Sequence, residues 1–112
     1  MESQDAKILR IYIGEDTRCE GKPLYEWLVH KAREFGMKGA TVLRGLEGYG
    51  ARNHLHTAKI LRLSTDLPVI IEIVDTETRV EAFLVEVESK IESGMVVIED
   101  VHVRFYRSRE KE

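Results

Sequence analysis

Apolar positions along the chain switch between strand and helix period four times, and these switches, with one break between two strands, divide it into six elements. From Ile8 to Ile13 they alternate, with Leu9, Ile11 and Ile13 on one face and Ile8, Arg10 and Tyr12 on the other, which predicts a strand against a core. A turn-like stretch from Gly14 to Gly21 follows. Pro23 then stands as a first helical residue, and Leu24, Trp27, Leu28, Ala32 and Phe35 recur at helical spacing until Gly36 caps the helix. Thr41 to Arg44 is β-branched and apolar, and strand character resumes over Lys59 to Val74, broken near Asp66-Leu67-Pro68. These two segments read as a long hairpin. Thr78-x-x-Glu81 resembles a capping box and opens a second helix over Thr78 to Ser93, with Val80, Phe83, Leu84, Val87 and Ile91 as its stripe and Gly94 as its stop. Val101, Val103 and Phe105 alternate against His102, Arg104 and Tyr106 in a last strand.

The order β-α-β-β-α-β is that of an α+β, ferredoxin-like sandwich, in which both helices pack on one face of a four-stranded antiparallel sheet. At 112 residues the chain makes one such domain, residues 1–112. One sheet face is left bare. Parity assigns it Ile8, Arg10 and Tyr12, then Ile70, Glu72 and Val74, then His102, Arg104 and Tyr106. The first and third strands are neighbours in this topology, so Glu72 is expected to pair with Arg10. Exposed Ile70 and Val74 are costly in a monomer, which makes this face an expected oligomer interface.

Between the second and third strands lies Gly45-Leu46-Glu47-Gly48-Tyr49-Gly50, preceded by Arg44 and followed by Arg52, His54, His56 and Lys59. Glycine backbone N–H groups and flanking cations suit an anion such as phosphate, and they point to binding rather than catalysis. The same glycines also serve a bend or bulge in a long hairpin. The net charge of −3 restricts any anion site to a local one and argues against a nucleic-acid surface. Tyr12 is the only aromatic residue where an RNA-recognition sheet needs several. No apolar run has the length of a signal peptide or a membrane span, so no membrane insertion and a cytoplasmic protein are expected. One Gln (Gln4) and one Asn (Asn53) stand against 33% charged residues, a bias seen in proteins from hot environments.

Reactive chemistry finds little support. Cys19 is the only cysteine and has no histidine near it in sequence. His54-x-His56 supplies two imidazoles on one side of an extended chain, half of a metal site, with Glu47 as a further donor in a folded loop. An acylphosphatase needs a positioned asparagine on the sheet, whereas Asn53 lies in the glycine loop. No set of nucleophile, base and oxyanion donors assembles, and a non-enzyme is expected.

Gly21-Lys22-Pro23-Leu24-Tyr25-Glu26, Gly39-Ala40-Thr41-Val42-Leu43-Arg44-Gly45, Gly48-Tyr49-Gly50, His56-Thr57-Ala58-Lys59 and Leu67-Pro68-Val69-Ile70-Ile71-Glu72-Ile73-Val74-Asp75 together resemble an uncharacterised bacterial and archaeal family that is itself similar to PII signal-transduction proteins. Gly39-x-Thr41-Val42 and Gly48-Tyr49-Gly50 resemble the strand and the opening of the flexible T-loop in PII proteins. The resemblance implies a homotrimer that binds a small anionic ligand, an adenine nucleotide, in clefts between subunits and signals to an unidentified target protein through the loop. Carried over by position, Thr41, Gly48 and Gly50 line that cleft, and Arg104 or Arg107 reaches phosphates from the next subunit; in the loop Arg44 and Arg52 are expected to add charge-assisted hydrogen bonds to the ligand, with Tyr49 beside them. The phosphate-binding loop of PII proteins falls on Ser93-Gly94-Met95-Val96-Val97-Ile98-Glu99-Asp100, where one glycine and two acids stand. No glutamine follows Gly50 and no tyrosine lies beyond it in the loop, so covalent regulation is not carried over. CutA-like trimers share this architecture and make metal binding through His54 and His56 one alternative; a protein-interaction module whose loop docks on a partner without any ligand is the other.

Overall fold

Alternation in the first segment runs further than its apolar centre suggests, and β1 spans Glu2–Gly14. The computed structural model describes residues 2–49, 56–57 and 66–109. After β1 a small ribbon pairs β2 (Arg18–Cys19) with β3 (Lys22–Pro23), and Cys19 is buried there. Helix α1 covers Leu24–Phe35, with Pro23 at its N-cap and Gly36 at φ 86° closing it, a left-handed conformation that suits glycine. Strand β4 (Thr41–Arg44) leads to a short pairing of β5 (Glu47–Gly48) with β6 (His56–Thr57), and β7 (Pro68–Asp75) returns through the sheet. Helix α2 (Glu77–Val87), a 3₁₀ turn (Glu88–Lys90) and β8 (Met95–Phe105) complete the chain.

The sheet order is β4-β7-β1-β8 with antiparallel neighbours throughout, the expected ferredoxin-like arrangement. Its helix-covered face carries Leu9, Ile11 and Ile13 of β1 and Val69, Ile71 and Ile73 of β7. Both helices bury the stripes read from the sequence, Leu24, Trp27, Leu28 and Ala32 from α1 and Val80, Phe83, Leu84 and Val87 from α2. Phe35 and Phe83 meet edge to face at 5.7 Å between centroids.

Three sequence expectations need correction. The cap of α2 is Thr76 rather than Thr78, because the Thr76 hydroxyl accepts the Arg79 N–H at 3.3 Å and its carbonyl accepts the Val80 N–H at 2.9 Å. The helix itself ends at Val87, before the 3₁₀ turn, rather than at Ser93. Gly94 instead stands in the bend just before β8, where at φ 141° any Cβ would press into the Tyr12 carbonyl oxygen.

The second correction concerns β8. Its strand character begins at Met95 rather than Val101, because the long β1 offers it partners from Tyr12 opposite Met95 to Glu2 opposite Phe105. Residues 95–100 are therefore strand rather than a phosphate-binding loop. Glu99 and Asp100 lie on opposite faces of that strand and each has a partner: Arg10 donates to Glu99 at 2.8 Å, and Lys7 pairs with Asp100. The bond to Asp100 raises the Lys7 pKa.

The third follows from the same register. Glu99 lies opposite Ile8, Val97 opposite Arg10 and Met95 opposite Tyr12, so the odd positions of β8 share the bare face. His102 and Arg104 belong to the helix side, where His102 accepts or donates to Ser3 at 2.7 Å and lies 3.3 Å from Asp5. Tyr106, just beyond the strand, reaches the Lys38 carbonyl with its hydroxyl at 2.9 Å. The helix-side positions of this edge strand pass from apolar Val96 and Ile98 to polar Asp100, His102 and Arg104, which are exposed.

Candidate functional site

The bare face is organised in cross-strand rows. One row runs Thr41, Glu72, Arg10, Val97 and the next runs Leu43, Ile70, Tyr12, Met95. The predicted pairing is present: the Arg10 Nε donates to Glu72 at 3.2 Å while its Nη1 donates to Glu99. Hydrogen bonds first to Glu99 and then to Glu72 raise the Arg10 pKa, so its cation is fixed on this face. Around it, Leu43 and Met95 are 45% and 54% exposed and Ile70 and Val74 are half-buried. The charges on the face thus have partners within the chain, while much of its apolar surface lies open.

At one end of this face a groove of about 230 Å³ is lined by Thr41, Glu72, Val74, Val103, Phe105 and Tyr106, with the chain from Lys38 to Ala40 along its side. Two local features build it. The β1–β8 pair extends past the end of β7, and the Tyr106 bond to the Lys38 carbonyl ties the chain beyond β8 to the segment before β4. That segment is in turn held by Asp75, which is wholly buried and accepts the Lys38 N–H at 3.1 Å and the Thr76 N–H at 2.8 Å. Apolar walls from Val74, Val103 and Phe105, with a carboxylate and a hydroxyl beside them, fit a flat heteroaromatic group bearing an N–H edge. Arg107 sits over the Phe105 ring at 4.1 Å to its centroid.

Arg44 occupies a different place. Thr41 and Arg44 mark the two ends of β4 and project to opposite faces, since Thr41 pairs with Glu72 and Arg44 with Val69. The Arg44 guanidinium grips Glu15, with Nη2 at 3.0 Å from each carboxylate oxygen. Beside it the Gly45 N–H donates to the Pro68 carbonyl at 2.7 Å, and a Cβ on Gly45 would come within 2.7 Å of the Pro68 Cγ. Close approach to the start of β7 therefore accounts for Gly45. Gly48 sits in β5 and Tyr49 is exposed. Gly50, Arg52 and His54 lie outside the described residues, and of His56 only its place in β6 is described. Among the described residues no group of three or more His, Cys, Asp or Glu side chains could hold a metal ion.

The predicted site residues therefore fall into two groups. Thr41 shares its groove with Glu72, Val74, Val103, Phe105 and Tyr106, and Arg107 joins it through Phe105. Arg44 neighbours Glu15 and the strand leading to Gly48 and Tyr49. Arg104 is exposed on the helix side of β8, away from both. The groove's aromatic wall is hidden in the sequence because the alternation of Val103 and Phe105 against His102, Arg104 and Tyr106 suggests that the apolar set faces the core, whereas the register turns it to the bare face. No described helix is long and apolar enough to cross a membrane.

Comparison with known proteins identifies the fold and the family. The fold resembles that of CPII, a nitrogen regulatory PII-like protein from Thiomonas intermedia K12 bound to ADP, AMP and bicarbonate, with TM-score 0.70 and 21% identity over 93% of this chain and 92% of that one. A PII-like signalling protein from Thermus thermophilus matches at TM-score 0.64 and 19% identity, covering 92% and 93% of the two chains. By sequence the chain is 42% identical over 97 residues to a UPF0166 protein of Aquifex aeolicus (strain VF5), covering 87% of this chain and 91% of that one. A UPF0166 protein of Methanocaldococcus jannaschii is 40% identical over 99 residues, covering 88% and 91%. The family model DUF190, "Uncharacterized ACR", matches residues 6–103, and the chain belongs to that family.

Proposed function

We propose that this protein is a cytoplasmic, PII-like regulator rather than an enzyme: a homotrimer that binds an adenine nucleotide in clefts between subunits and passes occupancy to a target protein through the loop after β4. The observation that carries the reading is the groove at Thr41, Glu72, Val74 and Phe105, which opens on the bare sheet face. A base lying there would set its N–H edge against Glu72 and its ring against the apolar wall. A neighbouring copy covering the bare face would close the groove and bring further cations to the phosphates. The PII-like fold shared with CPII, whose structure holds ADP, AMP and bicarbonate, supports this choice of ligand.

Arg44 supplies the second contact, at the phosphate end and from a different copy than the one holding the base. This assignment reconciles its distance from Thr41 with a single ligand. A thermal-shift series with ADP, AMP, ATP, bicarbonate and divalent metals tests the reading, because a ligand that prefers the folded state raises the melting midpoint. ADP or ATP is expected to raise it in the parent and to do so less in Arg44→Ala. A rise with metals alone would replace this function with metal binding.

A further inference from the structure

The anion-binding part of that reading leaves Glu15 unexplained. Its carboxylate is 23% exposed and faces Arg44, itself 60% exposed, in a two-pronged contact. Backbone bonds fix where Glu15 stands: its N–H donates to the Leu67 carbonyl at 2.8 Å, and the Asp16 N–H next to it donates to the Asp66 carboxylate at 2.8 Å. The turn after β1 thus spans the distance between the start of β7 and the end of β4. A carboxylate held in this way presents Arg44 with the oxygens that an incoming anion would offer.

We propose that Glu15 is a specificity-determining residue of the Arg44 anion site, an internal competitor that reserves Arg44 for phosphate-bearing ligands over simple carboxylates. The inference rests on the reading of Arg44 as a phosphate contact. Exchanging one carboxylate for another on the same guanidinium forms no additional bond, and the incoming molecule also loses its freedom to move. A phosphate brings more charge and more acceptor oxygens to the same planar donor, so it gains where the carboxylate does not. The discrimination comes from an element that works against the wrong ligand, not from added attraction to the right one. Displaced from Arg44, Glu15 would remain tied to Leu67 through its backbone, so exchange alters the pairing at the end of β4 without undoing the turn.

The test compares the parent, Glu15→Gln and Arg44→Ala by titration with ADP, alone and in the presence of sodium acetate. Glu15→Gln is expected to bind ADP about twofold to fivefold more tightly, the scale of a partly exposed ion pair. Acetate should weaken ADP binding by Glu15→Gln and leave the parent nearly unaffected. Unchanged or weaker ADP binding by Glu15→Gln, while Arg44→Ala loses affinity, overturns the role of Glu15 and leaves Arg44 as the phosphate contact. If no form binds ADP, the nucleotide reading falls, and the Arg44 Nε–H resonance decides the proposal. It should move with inorganic phosphate at lower concentration in Glu15→Gln than in the parent, and equal titration in the two, or none, overturns it.

Discussion

Replacing Asp75 with Ala is expected to destabilise the fold by about 2–5 kcal/mol, since the Lys38 and Thr76 N–H groups, both partly buried, would lose their charged acceptor at once. Asp75 is the one buried charged residue among the described residues, and its two oxygens serve Thr76 at the start of α2 and Lys38 before β4. The first contact sets the entry to the helix. The second fixes the segment whose carbonyl receives Tyr106, so the groove depends on the same side chain. A urea titration should show a lower midpoint with an unaltered slope, the mark of lost stability without a change in the unfolded chain. Asp75→Asn keeps one acceptor oxygen and should lose less. A midpoint equal to the parent's in Asp75→Ala would mean that water replaces both bonds without cost.

The second large effect concerns assembly. Ile70 lies in the row Leu43, Ile70, Tyr12, Met95 on the bare face, next to the row of Thr41 and Glu72 but outside the lining of the groove. If copies of the chain cover this face, Ile70→Asp would bury a carboxylate with no partner, a cost of several kcal/mol that each contact in the ring would incur. Sedimentation should then show the trimer of the parent replaced by monomer. Nucleotide binding should fall with it, because the proposed cleft is closed by a neighbouring copy. An Ile70→Asp protein that sediments like the parent would free this face of any role in assembly.

Much of the fold was legible because it depends on periodicity. The stripes of α1 and α2 and the alternation of β1 and β7 each demand one buried face, and once the topology made β1 and β7 neighbours, the Arg10–Glu72 pair followed. Edges were harder. In β8 the apolar residues Val101, Val103 and Phe105 suggested a core-facing side, but the register with β1 turns them to the bare face. An edge strand beyond the helices has no single face that burial must favour, so alternation shows only that two faces exist. Thr76 and Thr78 offer the same capping chemistry, and it is the geometry after Asp75 that selects the first.

The site was legible in its residue types more than in its assembly. Thr41 and Arg44 were both marked, yet they stand at opposite ends of β4 and on opposite faces of the sheet. Glu72 was read only as the partner of Arg10, although the same carboxylate lines the groove. Tyr106 joins that groove through its bond to the Lys38 carbonyl, far away in sequence and invisible to local spacing, and Phe105 through the far end of the β1–β8 pairing. Glu15 gave no signal, because an acid in a turn is ordinary until Arg44 is seen beside it.

The central claim, a nucleotide held in the groove on the bare sheet face, is tested most directly by calorimetric titration of ADP into the purified protein and into a Phe105→Ala variant. Saturable binding by the parent, with a marked loss of affinity in Phe105→Ala at unchanged oligomeric state, is the predicted result. No binding by the parent, or equal binding by the two proteins, would contradict it.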